Sequence, residues 1–540
     1  MDDKTYANRQ YQSMDAVFSD WKSIYKDVRD FVFPYTGQFE GETTFKRHDQ
    51  YLIRTMILKY ANVCASGMEW GITSPTRKWA KLEASDPELN KSTAVKNYLS
   101  ACTDILAKLL ANGKFYQEIF KYYLEMSVYG TAAISIEEDP LIGVRFHTYT
   151  MGEYRIGCDA HGKPNCFGRK FRVNEDQYRE MFGGKPQGNN GKPQIEVMHV
   201  IAPNPDYEYG SALNTKFPYK EYYISGDKCV VSGYHEFPVG VGRWFTRGSD
   251  VYGTGPGIWS LGDAKQIQVM WRDMSMAAEL AVNPPIQAPS DILANGGINT
   301  LPGTANYYNP VGTTSGAITP LWQVNMDFTG VAGLSEKMEE CIQEHFNYKV
   351  FQLLSSMDKG TRTAREIVEL SSEKMSTMGP LVDRMETEIL PAIIDRVVNI
   401  AFRNYIFPPP PRELQGGDVK ISYNSILSQA QAQNDITPVV DTVNLSIQMA
   451  AETQKPEILD KIDFDKVVDI LGDRNGIPAG IIKDDDEVQQ IRYARAQQQQ
   501  QMQAAAMAQQ SAEIAKTASQ AKLTENNALT QVLGGTAGLG

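Results

Sequence analysis

Positive charge is in deficit: the 540-residue chain has 53 Lys plus Arg against 65 Asp plus Glu, a net charge of -12. A molecule so charged repels nucleic acid and anionic membrane as a whole, so any contact with a polyanion must be local or weak. Long apolar runs are lacking too. Stretches such as Pro391 to Phe402 are interrupted, here by Asp395 and Arg396, and none approaches the roughly 18 uninterrupted apolar residues that a spanning helix needs. Cysteine is scarce. The six (Cys64, Cys102, Cys158, Cys166, Cys229, Cys341) are scattered, which predicts reduced, mostly buried thiols rather than a disulfide framework. The opening MDDKTYANRQ has neither a basic n-region nor an apolar h-region, so the expectation is a protein that starts in a cytoplasm.

What is present is ordinary globular material, 42% hydrophobic and 22% charged, in a chain longer than the roughly 250 to 300 residues one core serves. Two or more lobes are expected. Residues 1 to about 130 read as mainly helical: Leu99, Ile105, Leu106, Leu109 and Leu110 recur at helical spacing up to Gly113, and a second helix runs from Tyr116 to Tyr129 before Gly130. Short β-prone runs then take over at 131–137, 143–148, 153–158, 167–173, 195–202, 221–231 and 243–246, separated by turn residues. This predicts an α+β lobe.

From Gly257 the period returns to helical. Ile267, Met270, Trp271, Met274, Ala277, Ala278 and Ala281 mark one face of a helix of about 25 residues, roughly 38 Å, that Asn283-Pro284-Pro285 stops. Between Asn283 and Gly330 the only charged residues are Asp291 and Asp327, and there is no Lys or Arg. A second long helix is expected from about Gly333, with Leu334, Met338, Cys341, Ile342, Phe346, Val350, Leu353 and Leu354 spaced by three and four. Two helices flanking an uncharged, turn-rich excursion predict a hairpin-like arm with an irregular interaction element at its tip. After the polar loop 355–362, Thr363-Ala364-Arg365-Glu366 supplies a capping box for a third helix, which Gly379-Pro380 and Pro391 must kink or break. Pro408 to Pro411 form a stiff linker. A strand-like Val419 to Tyr423 follows, then helical stretches to Gly472. The tail from Asp484 is Gln- and Ala-rich, helix in an assembly or disorder alone.

Catalytic chemistry is sought without success. Gly157 to Lys163 satisfies G-x-x-x-x-G-K, but Pro164 stands where a Mg²⁺-binding Ser or Thr belongs and a strand follows, so a hairpin turn is the better reading. Cys158, His161 and Cys166 are residue types that zinc favours, yet no fourth ligand is nearby. Gly253-Thr254-Gly255-Pro256-Gly257 breaks the dinucleotide register, and its glycines suit a tight corner. No G-x-S-x-G elbow or H-E-x-x-H helix occurs. The expectation is a protein that is not an enzyme and needs no cofactor or metal.

Several segments, in order, resemble the head-to-tail connecting, or portal, proteins of short-tailed bacteriophages (podoviruses). They are Ala65-Ser66-Gly67-Met68 through Pro75 to Trp79; Gly130-Thr131-Ala132-Ala133 leading into Ile136 to Asp139; Arg243-Trp244 with Tyr252 to Gly257; Ala281 to Pro285; Thr363 to Glu366; Glu373-Lys374-Met375 with Gly379-Pro380-Leu381; and the proline run at 408–411. Together they span roughly residues 60 to 495.

The resemblance implies a usually dodecameric ring at one capsid vertex of the virion, assembled in the host cytoplasm, through whose centre double-stranded DNA passes. It implies residues 1–256 as an N-terminal helical segment and α+β wing, 257–282 and 331–354 as two stem helices, 283–330 as a clip and 355–362 as a channel loop. Residues 363–425 would be a kinked helix and wing return, 426–484 a crown, and 485–540 a barrel helix or disordered tail. Implied partners are terminase, tail adaptor proteins, and the major capsid and scaffolding proteins. A duplex that must slide should not be gripped, because each neutralised phosphate adds binding that movement must undo. Within Glu336 to Lys349, four glutamates (Glu336, Glu339, Glu340, Glu344) against Lys337 and Lys349 leave two net negative charges per copy. Lys359, Arg362 and Arg365 are the channel candidates for transient phosphate contact, with intersubunit salt bridges the equal alternative. Tyr307, Tyr308, Leu321 and Trp322 are the candidates for partner docking at the clip, with packing inside the ring the alternative for Trp322. A DNA-packaging motor or nuclease subunit, and a DNA-free scaffold or sheath-like assembly protein, are the rival readings.

Overall fold

An apolar stripe of Tyr6, Tyr11, Met14, Phe18, Tyr25 and Val28 sets the first element, α1 (Asp3–Phe31), as a helix buried along one side. The computed structural model describes residues 2–39, 48–86, 89–184, 194–208, 216–287, 319–320, 327–356, 378–414, 417–423, 440–452, 456–468 and 485–520. After α1 come α2 (Met56–Ile72), β1 (Ala80–Ala84), α3 (Thr93–Asn112) and α4 (Phe115–Tyr129). The ends of α3 and α4 fall at Gly113 and Gly130, as their periodicity predicts.

The lobe that follows is an α+β arrangement of two antiparallel sheets. β2 (Thr131–Asp139), β3 (Gly143–Tyr149) and β9 (Val239–Arg243) form one, in the order β3-β2-β9. The second runs β4-β5-β6-β7-β8, built from β4 (Tyr154–Cys158), β5 (Pro164–Val173), β6 (Ile195–Pro203), β7 (Tyr219–Ser225) and β8 (Lys228–Tyr234), with α5 (Glu175–Phe182) between β5 and β6. The run expected as one strand over 221–231 is therefore two, since Gly226 turns the chain at φ +57°. The strand expected at 243–246 lies earlier, at β9, and beyond it only Phe245 bridges to Thr254.

α1 covers one face of the five-stranded sheet, where Tyr6, Tyr11 and Met14 pack on Met198, Val200, Tyr222 and Ile224. Arg155 pins it there. The guanidinium is buried, donates from Nε to Asp15 Oδ1 at 2.6 Å and lies 3.8 Å from the Phe18 ring centre. The opposite face holds a buried polar network. Glu221 accepts from His199 Nε2 (2.8 Å), Ser232 Oγ (2.5 Å) and Tyr234 Oη (2.8 Å). Burial alone would raise the Glu221 carboxyl, but these donors outweigh it and hold it below the usual carboxylate range. Burial also depresses His199, which stays neutral and accepts from Arg169 Nε on its other nitrogen at 3.4 Å.

α4 runs through the centre with Tyr122, Tyr123, Met126 and Tyr129 buried. Its Glu125 is buried among them, and burial pushes the carboxyl up to about 7 although Thr150 Oγ1 (2.7 Å) and Met151 N (3.0 Å) donate to it. The corner after β9 leads through α6 (Pro256–Trp259) into α7 (Leu261–Val282), which ends before Asn283 as expected. β10 (Ile286–Gln287) pairs antiparallel with β11 (Thr319–Pro320).

The second arm helix is not the single element its spacing suggests. α8 (Phe328–His345) stops, Asn347 takes a left-handed φ of +51°, and α9 (Tyr348–Ser356) departs on a new axis. Asn tolerates that conformation, and the break lets Phe346, Tyr348, Val350 and Phe351 all bury. α9 docks on α2, where Phe351 sits so close to Gly67 that a Cβ there would lie 2.1 Å from Phe351 Cδ1.

The chain is described again from Met378. α10 (Gly379–Arg384) starts at the Gly-Pro pair, a π-helical turn spans Met385–Ile389, and α11 (Leu390–Arg403) carries Pro391 in its first turn. Pro391 has no N–H to give and its ring crowds the carbonyl one turn back. The wider turn just before it absorbs that conflict. Arg396 of α11 is buried and donates from Nε to Ile136 O at 2.8 Å, tying α11 to β2. β12 (Val419–Tyr423) coincides with the expected strand and pairs antiparallel with β1, over 300 residues earlier. Residues 440–452 are helical, and Asp485–Gln520 form an exposed helix of 36 residues, α12. Among the described residues no helix is long and apolar enough to cross a membrane.

Candidate assembly and conduit arm

The arm is a pair of antiparallel helices, α7 and α8, whose facing sides are closed by a few specific contacts. Trp271 Nε1 donates to Ser335 Oγ at 2.8 Å, and at the root Ser260 Oγ meets His345 Nδ1 at 3.1 Å. A residue from before α2 locks them. Arg54 donates from Nε to Glu339 Oε1 at 2.8 Å and lays its guanidinium 4.5 Å from the Trp271 ring centre. Gln268 completes the clamp: its buried Oε1 accepts from Ile53 N (2.7 Å) and Arg54 N (2.8 Å), and its Nε2 donates to Arg54 O (2.9 Å). Below it Gln343 Nε2 donates to Tyr60 Oη at 3.0 Å, and Lys265 pairs with Asp27 of α1 at 2.6 Å. Nothing local in the sequence announces these residues, because Arg54 and Glu339 are 285 positions apart.

The electrostatics of α8 differ from the sequence count in one respect. Glu339 points inward, 8% exposed and paired with Arg54, so it contributes nothing to an outer wall. Glu336, Glu340 and Glu344, spaced by four, remain exposed on one face of α8. Against the exposed Lys337 and Lys349, three minus two leaves one net outward negative charge per copy across Glu336 to Lys349, not two. The arm also exposes apolar side chains that a lone helix pair has no reason to show: Val269, Met276 and Val282 on α7, and Phe328 and Leu334 on α8.

The residues singled out from sequence as site candidates all fall outside the described residues. Tyr307 and Tyr308 lie in the stretch between β10 and β11, Leu321 and Trp322 directly after β11, and Lys359, Arg362 and Arg365 between α9 and Met378. What the structure does fix is where those stretches are attached: the first leaves and re-enters through the β10–β11 pair, and the last begins at the end of α9. Gly157 to Lys163 is the hairpin turn between β4 and β5, in which Asp159 Oδ1 accepts from the backbone N–H groups of His161 and Lys163, both at 2.9 Å. Arg243 occupies that turn, donating to Gly162 O at 2.8 Å, while burial pushes the Cys166 thiol up to about 12. Among the described residues no group of three or more His, Cys, Asp or Glu could hold a metal ion.

A profile of the family described as "Bacteriophage head to tail connecting protein" matches residues 4–482. Over 535 residues the chain is 31% identical to the "Probable portal protein" of Bordetella phage BPP-1, covering 95% of this chain and 94% of that one. Over 529 residues it is 30% identical to the "Portal protein" of Salmonella phage epsilon15, with 95% and 94% covered. A chain from the structure titled "Neck of empty GTA particle computed with C6 symmetry" is far more remote, at 10% identity and a TM-score of 0.36 over 75% of this chain and 86% of that one.

Proposed function

The chain belongs to the bacteriophage head to tail connecting protein family, and from that premise we propose that its copies close into a dodecameric ring at one capsid vertex. Double-stranded DNA passes through that ring on its way in during packaging and on its way out during ejection. The role is structural, and the ATP chemistry belongs to a partner. In this reading residues 1–256 form the N-terminal segment and wing, α7 and α8 with α9 the stem, residues 283–330 the clip, 355–362 the channel loop, 426–484 the crown and 485–540 a barrel. Terminase docks on the clip during filling and tail adaptor proteins replace it, with Tyr307, Tyr308, Leu321 and Trp322 as anchors. Major capsid and scaffolding proteins meet the ring in the head.

The observation that carries the conduit reading is the row Glu336, Glu340 and Glu344 on an exposed face of α8. Repeated around a ring, it gives a wall that releases no counterions from a passing duplex and so adds no affinity that motion has to undo. Lys359, Arg362 and Arg365 then touch phosphates briefly as the strand moves. Reversing Arg362 to Glu leaves ring assembly intact and lowers the amount of DNA packaged, measured as nuclease-protected genome per particle.

Negatively stained projections of the purified full chain test the whole reading. Rings with a central hole are expected. Filaments or compact monomers under every assembly condition, or unaided nucleotide turnover, would refute it.

A further inference from the structure

We propose that the outward stripe of α7, Val269, Met276 and Leu280, and the stripe of α8, Leu334, Met338 and Cys341, are the two halves of one contact between successive copies of this chain. The proposal rests on the ring reading above and names its residues.

At about 100° per residue, Val269, Met276 and Leu280 stand on one line of α7. That line is on the far side from Ala264, Ile267, Gln268 and Trp271, which face the rest of the same chain. Val269 and Met276 are 44% and 54% exposed, and Leu334 on α8 is 48% exposed, with Cys341 exposed seven residues on. Four such side chains at heptad spacing on a helix pair are a cost in water and a seam when covered. A ring supplies the cover. Rotation about the ring axis brings the next copy's α8 alongside α7, antiparallel to it as the chain's own α8 is.

The flanking charges choose the offset. Antiparallel packing sets like flanks of the two helices together, here Arg272 and Glu279 of α7 against Lys337 and Glu344 of α8. Within one chain Trp271 stands level with Ser335. Neighbours at equal height would therefore bring Arg272 to Lys337, cation on cation. Sliding the neighbour's α8 by one heptad toward the arm's tip, about 10.5 Å, replaces this by Arg272 against Glu344 and Glu279 against Lys337. Met276 then faces Cys341 and Leu280 faces Met338. Among the described residues Arg272 has only the adjacent Asp273 as an ion-pair partner, both more than half exposed, and Glu344 and Lys337 lie exposed.

The native Cys341 gives the test. Met276→Cys in the full chain, assembled and oxidised, is expected to yield a ladder of disulfide-linked multimers on a non-reducing gel. Val269→Cys, which the offset keeps away from Cys341, yields none, and Cys341→Ser abolishes the Met276→Cys ladder. Rings of normal appearance that give no ladder from Met276→Cys, or a stronger ladder from Val269→Cys, overturn the pairing and leave the ring reading standing. A chain that never leaves the monomer overturns both. A charge reversal separates a lost contact from a lost fold: Arg272→Glu and Glu344→Arg each lose rings in stained images, and the double variant recovers them. Failure of the double variant with an unchanged circular dichroism spectrum overturns the proposed offset.

Discussion

Replacing Gln268 by Met tests whether the arm is held at its root by the hydrogen bonds described. Methionine matches glutamine in length and shape, so packing of the 3% exposed side chain is largely kept. Three backbone groups lose their partners, namely Ile53 N, Arg54 N and Arg54 O. Each costs about 1–3 kcal/mol if left unpaired in a dry site. Ile53 is 47% exposed, however, so water re-solvates part of this segment. The expected loss is therefore at the lower end, about 3 kcal/mol for the three together. A chain of this size does not unfold in one step, so the readout is local: native-state hydrogen exchange at the amides of residues 53 and 54 and along α7. Protection of those amides should fall by about a hundredfold, following 1.4 kcal/mol per factor of ten, while β6 is unchanged. Gln268→Glu, which keeps both acceptors and loses only the donor, should cost less. Exchange at 53 and 54 that matches the parent chain in Gln268→Met would refute the clamp.

Other perturbations follow from buried groups. Glu125 binds its proton more tightly folded, at about 7, than at its ordinary 4.5. Its contribution is thus greatest at low pH and is lost as pH rises from about 4.5 to 7, by about 3 kcal/mol at most. Glu125→Gln should flatten that slope in denaturation curves taken at pH 5 and pH 7.5. Glu221 has the opposite sign. Held low by its donors, it adds stability above its ordinary value of 4.5 that is lost as pH falls below it. Glu221→Gln should cost about 3 kcal/mol at pH 7 and make acid denaturation less steep. Gly67→Ala drives a methyl into Phe351 and should cost about 1–3 kcal/mol, lowering the melting temperature, with Phe351→Leu restoring part of the loss.

Helical periodicity made α3, α4 and α7 legible, and β12 was legible because alternation and flanking turn residues bound it on both sides. β9 was not. Its Val239-Gly240-Val241-Gly242 reads as a turn, yet the glycines serve close packing, since a Cβ at Gly242 would meet Tyr122 Oη at 2.1 Å and one at Gly240 would meet Ile393 Cγ1 at 2.6 Å. The break at Asn347 was hidden by an apolar spacing that runs on through Phe346 and Val350, because both halves bury the same kind of side chain against different neighbours. Glu339 could be counted as a wall charge only while Arg54 was unknown as its partner. Contacts across hundreds of residues leave no trace in local pattern. The family resemblance, carried by the order of weak motifs, reached the function that no single site residue disclosed.

The β10–β11 pair is a ladder of only two rungs, Ile286 with Pro320 and Gln287 with Thr319. It brings the start and finish of a 31-residue excursion to neighbouring points on the shaft, so the shaft never needs to know what hangs beyond it. Insertions, deletions or wholesale replacement of residues 288–318 leave α7 and α8 in register, and a lineage can retailor the tip for a new docking partner while inheriting the same bore.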